Sequence, residues 1–134
     1  MSIAAIDYGG RRIGIAVSDS GILATPHSVI PNEGDVLGTI DRIGKELGVE
    51  TWIVGVAKRT KTRAGEQKFS RFAEDLRQKT CKPVVLWDET LSTAEAAERL
   101  RERGGRAADR KDIDMYAAAV ILQSYLDERA RRKS

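Results

Sequence analysis

Three carboxylates stand where a folded chain seldom places acids. Asp7 ends the apolar run Ile3-Ala4-Ala5-Ile6, and Asp88 and Glu89 end the run Val84-Val85-Leu86-Trp87. Asp114 lies near the start of a long apolar helical pattern, on the face that carries Ala117, Ala118, Ile121 and Tyr125. A buried acid is costly unless its charge is compensated. Acids that converge usually do so around a metal or a proton. Two carboxylates ~4 Å apart repel by about 4 kcal/mol at an effective dielectric of about 20. A cluster of three therefore needs a cation, and hard oxygen donors select magnesium or manganese. Two such ions about 3.5–4 Å apart activate a water and stabilise the leaving oxygen at a phosphodiester. That chemistry needs no protein nucleophile, which suits a chain with one histidine, His27, and one cysteine, Cys81. The pattern points to a metal-dependent nuclease.

Each acid also has a plainer reading. Asp7 before Gly9 suits a turn. Asp88 or Glu89 suits the start of the next helix, and Asp112 or Asp114 the start of the last one, where a helix dipole favours negative charge. The functional reading draws on the three together.

The basic residues are unevenly spread. Residues 1–57 carry four basic and seven acidic side chains, a net of −3, whereas residues 58–134 carry 19 and 13, a net of +6. Such asymmetry fits a polyanionic partner on one side, although a solvated surface would show it too. Lys58, Arg59, Lys61 and Arg63 fall in one polar stretch with no acid among them, and Arg11 and Arg12 closely follow Asp7. The first group suits contacts along a nucleic-acid backbone, and the pair suits the phosphate to be cut. The arginine-rich end, Arg129 to Lys133, reads as a solvated tail. Aromatic residues make up 5% of the chain, too few for an array of base-stacking platforms, so shape is expected to outweigh base sequence in recognition.

Positioning these groups requires a sheet. Residues 2–7, Ile13 to Ser18 and Leu23 to Ile30 read as three strands with short connections, an antiparallel meander; Pro26 interrupts the third. The period then changes. Val36, Leu37, Ile40, Ile43 and Leu47 predict a helix stopped by Gly48. Thr51 to Val56 predicts a fourth strand, Ala57 to Ala64 a polar loop, Phe69 to Leu76 a helix, and Pro83 to Asp88 a fifth strand. Ser92-Thr93-Ala94-Glu95 resembles a capping box for a helix running to about Arg103. Gly104-Gly105 ends it, and a last helix is expected from about Asp112 to Arg131. A meander followed by helix–strand units makes a mixed five-stranded α/β sheet with helices on both faces. Ligands of open α/β sheets lie beyond the carboxyl ends of strands. Asp7 and Glu89 occupy such ends, and Asp114 reaches them if the last helix packs across that edge.

At 134 residues the chain is read as one domain, 1–134. Cys81 cannot form an internal disulfide and is expected to be a small packing residue. One Cys and one His leave too few ligands for a usual structural zinc site. No run approaches the ~18 apolar residues of a membrane span, and Met1-Ser2-Ile3 carries no charged leader, so a cytoplasmic protein is expected.

The stretch Asp7-Tyr8-Gly9-Gly10-Arg11-Arg12-Ile13-Gly14-Ile15-Ala16-Val17-Ser18-Asp19 resembles the opening motif of the YqgF/RuvX family, described as pre-16S rRNA nucleases or Holliday junction resolvase-like proteins. Val54-Gly55 with Gly65-Glu66, Asp88-Glu89-Thr90-Leu91-Ser92-Thr93, and the helix Asp114 to Leu126 resemble three further family blocks in the same order. The resemblance spans essentially the whole chain. It implies an RNase H-like fold and a metal-dependent nuclease with Asp7, Glu89 and Asp114 as the catalytic, metal-binding set; Asp88 and Asp112 are reserves. Two departures stand out. The family often has Pro and then Asp-Gly after the fourth strand's glycine, where this chain has the basic stretch Val56 to Arg63. The acidic motif usually continues with Arg, where this chain has Thr90.

The expected function is therefore a magnesium- or manganese-dependent endonuclease acting on structured RNA, in 5′-end processing of pre-16S rRNA. The rival is a Holliday junction resolvase acting on branched DNA. A two-fold dimer would favour the rival, because a junction presents two symmetric strands; the sequence admits a monomer or a homodimer. A nucleic-acid-binding factor without catalysis keeps the same fold. An actin-like ATPase half fits less well, since the second nucleotide-clamping domain is missing.

Overall fold

Continuous burial from Ser2 to Ile6, covered on both faces, builds the central strand, β1 (Ser2–Tyr8). The computed structural model describes residues 2–56, 63–88 and 110–133. Strands β2 (Arg12–Ser18) and β3 (Thr25–Pro31) complete the antiparallel meander. Helix α1 (Val36–Leu47) leads to β4 (Val49–Val56), helix α2 (Arg63–Thr80) to β5 (Val84–Asp88), and helix α3 (Arg110–Lys133) follows. The sheet order is β3-β2-β1-β4-β5, with β1, β4 and β5 parallel. The helix expected over 92–103 and its Gly104-Gly105 stop lie outside the described residues.

Pro26 sits on the edge strand β3, opposite Ala16, where the register shifts between Ile15 and Ala16. An edge is where a sheet tolerates proline, because no neighbour needs its missing N–H. Helix α1 starts at Asp35, whose Oδ1 accepts from the Gly38 N–H at 3.0 Å, and stops at Gly48, which takes the left-handed conformation at φ 68°.

Strand alternation sorts the core into two layers. Ile6, Ile13, Ile15, Trp52 and Val54 face α1 and α2, where they meet Ile40, Phe69, Phe72 and Leu76. Ile3, Ala5, Ala16 and Ile53 face α3, where they meet Ala118, Ala119, Ile121 and Leu122. Helices thus cover both faces.

Several readings differ from expectation. Strand β4 starts two residues early, at Val49, directly after the Gly48 cap. Helix α2 starts at Arg63, inside the expected loop. Cys81 is not a packing residue: it is exposed, with φ 57°, just past the end of α2, where its N–H closes on the Arg77 carbonyl at 2.9 Å. Its backbone role as the turn that ends α2 decides its place. No helix among the described residues is long and apolar enough to cross a membrane.

Candidate active site

Because β1, β4 and β5 are parallel, their carboxyl ends share one edge of the sheet. Asp7 stands at that edge, half-buried. Its register partners are Gly14 on β2 and Gly55 on β4. Both are glycines, so the positions directly opposite Asp7 on the two flanking strands carry no side chain. Alternation puts Asp7 on the same face as Ile3 and Ala5, the face that α3 covers.

The glycine at 55 also sets how closely α3 approaches. A Cβ there would collide with Cδ1 of Ile121, so the helix lies in the hollow that glycine leaves. The orientation of α3 follows from three contacts. Ile121 sits over Gly55, near the carboxyl edge. Gln123, fully buried, accepts from the Ala24 N–H and donates to the Ile22 carbonyl, both at 2.9 Å. Arg129 reaches Gly21. Residues 21–24 join β2 to β3 at the opposite edge, so the chain before Ile121 runs toward the edge where Asp7 stands. Asp114 is on α3 one turn before Ala118 and two turns before Ile121. A further anchor is the Trp87 indole, which donates to Ser124 Oγ at 2.9 Å and meets the Tyr125 ring edge-on at 5.3 Å.

Asp88 ends β5 opposite Val56. Val85 and Trp87 pack with the α3 layer, so Asp88, one step on, has the parity of the other face. Glu89 lies outside the described residues, and the side chains of Asp112 and Asp114 do as well. Among the described residues no three His, Cys, Asp or Glu side chains form a metal-binding group. Asp7 is the one member of the expected set whose side chain is described.

The turn between β1 and β2 brings Arg11 and Arg12 to the same edge. Gly9 donates its N–H to the Arg12 carbonyl at 3.1 Å, and a Cβ at Gly9 would lie 2.5 Å from that oxygen. Only glycine permits so close a turn. Asn32 then ties the turn down: its Nδ2 donates to the Gly9 carbonyl at 2.7 Å and its N–H to the Arg11 carbonyl at 2.8 Å. Arg11 is exposed and Arg12 half-buried. Lys58, Arg59 and Lys61 lie outside the described residues, and Arg63 is placed only as the first residue of α2.

Sequence reasoning missed Asn32, Gln123 and Ser124. Each uses a polar side chain to fix an element that carries a candidate residue. An Asn just after β3 and a Gln-Ser pair inside an apolar helix were the available signals.

The family model described as "RuvX: Holliday junction resolvase" matches residues 1–128. The chain belongs to the RuvX family. That membership places it among nucleases, hydrolases of phosphodiester bonds. Relatives of this RuvX chain include two proteins named "Putative pre-16S rRNA nuclease". One, from Symbiobacterium thermophilum, is 41% identical over 98% of this chain and 96% of its own length. The other, from Geobacillus kaustophilus, is 43% identical over 92% and 96%. Among solved structures, the fold is similar to T. thermophilus RuvC in complex with a Holliday junction substrate, with a TM-score of 0.67, 16% identity and coverage of 97% and 96%. A fowlpox virus resolvase bound to junction DNA gives 0.59, 12% identity and coverage of 96% and 98%. At such identities the likeness is one of fold, and the fold is the RNase H-like one.

Proposed function

We infer that residues 1–134 act as one domain, a metal-dependent endonuclease that cleaves structured RNA and trims the 5′ end of pre-16S rRNA in the cytoplasm. The observation that carries this reading is the setting of Asp7: half-buried at the carboxyl edge of the sheet, between Gly14 and Gly55, on the face α3 covers. The names of the relatives supply the substrate.

The donor chemistry fits magnesium or manganese. A carboxylate such as that of Asp7, half-buried at the sheet edge, is a hard oxygen ligand. Asp7, Glu89 and Asp114 would hold the metal. When bound, such a metal supplies an activated water and charge stabilisation at the phosphate. The protein's own part is positional. Gly55 and the Trp87–Ser124 bond hold α3 against the edge. The Asn32-anchored turn aims Arg11 and Arg12 at the phosphate to be cut, and Lys58, Arg59, Lys61 and Arg63 follow the backbone away from it.

The second reading, cleavage of branched DNA, is favoured by the family description itself. Side-by-side incubation of a precursor rRNA and a four-way DNA junction, with and without magnesium, separates the two. Magnesium-dependent cutting of the precursor alone is expected. Cutting of the junction alone, by a homodimer in solution, would establish the rival.

A further inference from the structure

On the α2 face of the sheet, immediately beside the Asp7 edge, Tyr8 and α2 enclose a groove of about 600 Å³. It is lined by Tyr8, Gln67, Lys68, Arg71, Phe72 and Asp75. We propose that this groove grips the phosphate backbone of the substrate strand as it leaves the cleavage site, through Lys68 and Arg71. The proposal deepens the nuclease reading and rests on it for the identity of the occupant as a nucleic acid.

Three observations support it. Lys68 and Arg71 are exposed, one turn apart on α2, and share a stripe. Several other cations of the described residues are paired: Lys45 with Asp41, Arg77 with Glu74, and Arg131 and Arg132 with Glu128. Lys68 and Arg71 make no ion pair among the described residues, and the Lys68 ammonium lies 5.8 Å from the Tyr8 ring centre. Their charge remains available to a phosphate. Second, the floor is rigid: Tyr8 packs at 4.3 Å from Phe72 and edge-on at 5.8 Å from Phe69. Third, Asp7 and Tyr8 are consecutive on β1, with side chains on opposite faces of the sheet end. A strand whose phosphate sits at Asp7 need cross only the sheet edge to enter the groove. Asp75, one turn beyond Arg71, repels phosphate and marks where the strand leaves.

The test is a salt titration of binding to a mixed-sequence single-stranded RNA. The Lys68→Ser/Arg71→Ser variant is expected to flatten the log–log slope by about 1.4 units, two contacts at about 0.7 each. The Lys68→Arg/Arg71→Lys swap is expected to restore it. A control, Arg42→Ser/Lys82→Ser, removes two exposed cations from outside the groove and should leave the slope unchanged. An unchanged slope in the groove variant, or an equal fall in the control, overturns the proposal. Magnesium-dependent cutting of a precursor rRNA by the parent, read on a gel, reports on the nuclease reading separately: no cutting would sink that reading, while a slope flattened by the groove variant alone would still show the groove holding a nucleic-acid backbone.

Discussion

The two faces of the sheet are built on different principles. Toward α1 and α2 the layer is large and greasy, with Ile6, Ile13, Ile15, Trp52, Phe69, Phe72 and Leu76 filling volume. Toward α3 five alanines, Ala5, Ala16, Ala24, Ala118 and Ala119, are interleaved with Ile3, Ile53, Leu122 and Leu126, and Gly55 admits Ile121. Small residues let the helix backbone approach closely, and directed hydrogen bonds from Gln123 and Ser124 then fix it. Bulk apolar burial stabilises without prescribing position to a fraction of an ångström, whereas a close-packed, hydrogen-bonded contact prescribes it. Asp7, the candidate acid whose side chain is described, belongs to the second face. Substitutions on the first face should therefore cost stability, and those on the second should cost activity out of proportion to stability.

The comparison breaks first at Asp7. Asp7→Asn keeps the shape and removes one ligand charge, so cleavage should fall by at least about a thousandfold. Thermal unfolding should stay near the parent's, and RNA binding should persist. Unchanged cleavage in magnesium would show that the activity resides elsewhere.

The next largest effect should come from the greasy face. Leu76 is fully buried, and Leu76→Ala should cost about 2–5 kcal/mol in urea unfolding. Cleavage per folded molecule should be unchanged. A matching loss of specific activity would mean that this face positions the site too.

Gly55→Ala inverts the pattern. The added methyl meets Ile121, and α3 must shift or Ile121 must leave its rotamer, at about 1–3 kcal/mol. Specific activity should fall more than tenfold, since a displacement of about 1 Å costs about that much or more. Stability lost with activity intact would separate α3 from catalysis.

The smallest effect is expected at Ser124→Ala. It deprives the Trp87 indole of its acceptor, but Trp87 is only half-buried and water can partly replace the hydroxyl. About 1 kcal/mol of stability should be lost. A modest fall in activity with KM unchanged would show the anchor acting on position.

Much of this plan was legible in the sequence because it is local. The meander, the α1 period and the Gly48 stop follow from alternation, helical spacing and the left-handed preference of glycine. Asp7 was legible as an acid closing an apolar strand. The anchors were not. Gln123 bonds to backbone groups 99 and 101 residues away, and no periodicity carries such a pairing. Lys68 and Arg71 were hidden for another reason: on sequence they are ordinary polar positions of an amphipathic helix, and only the fold brings them to Tyr8.

The central claim is that Asp7, Glu89 and Asp114 converge on a divalent metal at the carboxyl edge. The most direct test is a crystal structure of the full chain soaked in manganese, with the metal located by its anomalous scattering. The account predicts an ion within about 2.0–2.2 Å of carboxylate oxygens from all three residues, on the α3 face of β1. Those three carboxyls on different faces of the sheet, with no ion at Asp7, would contradict it.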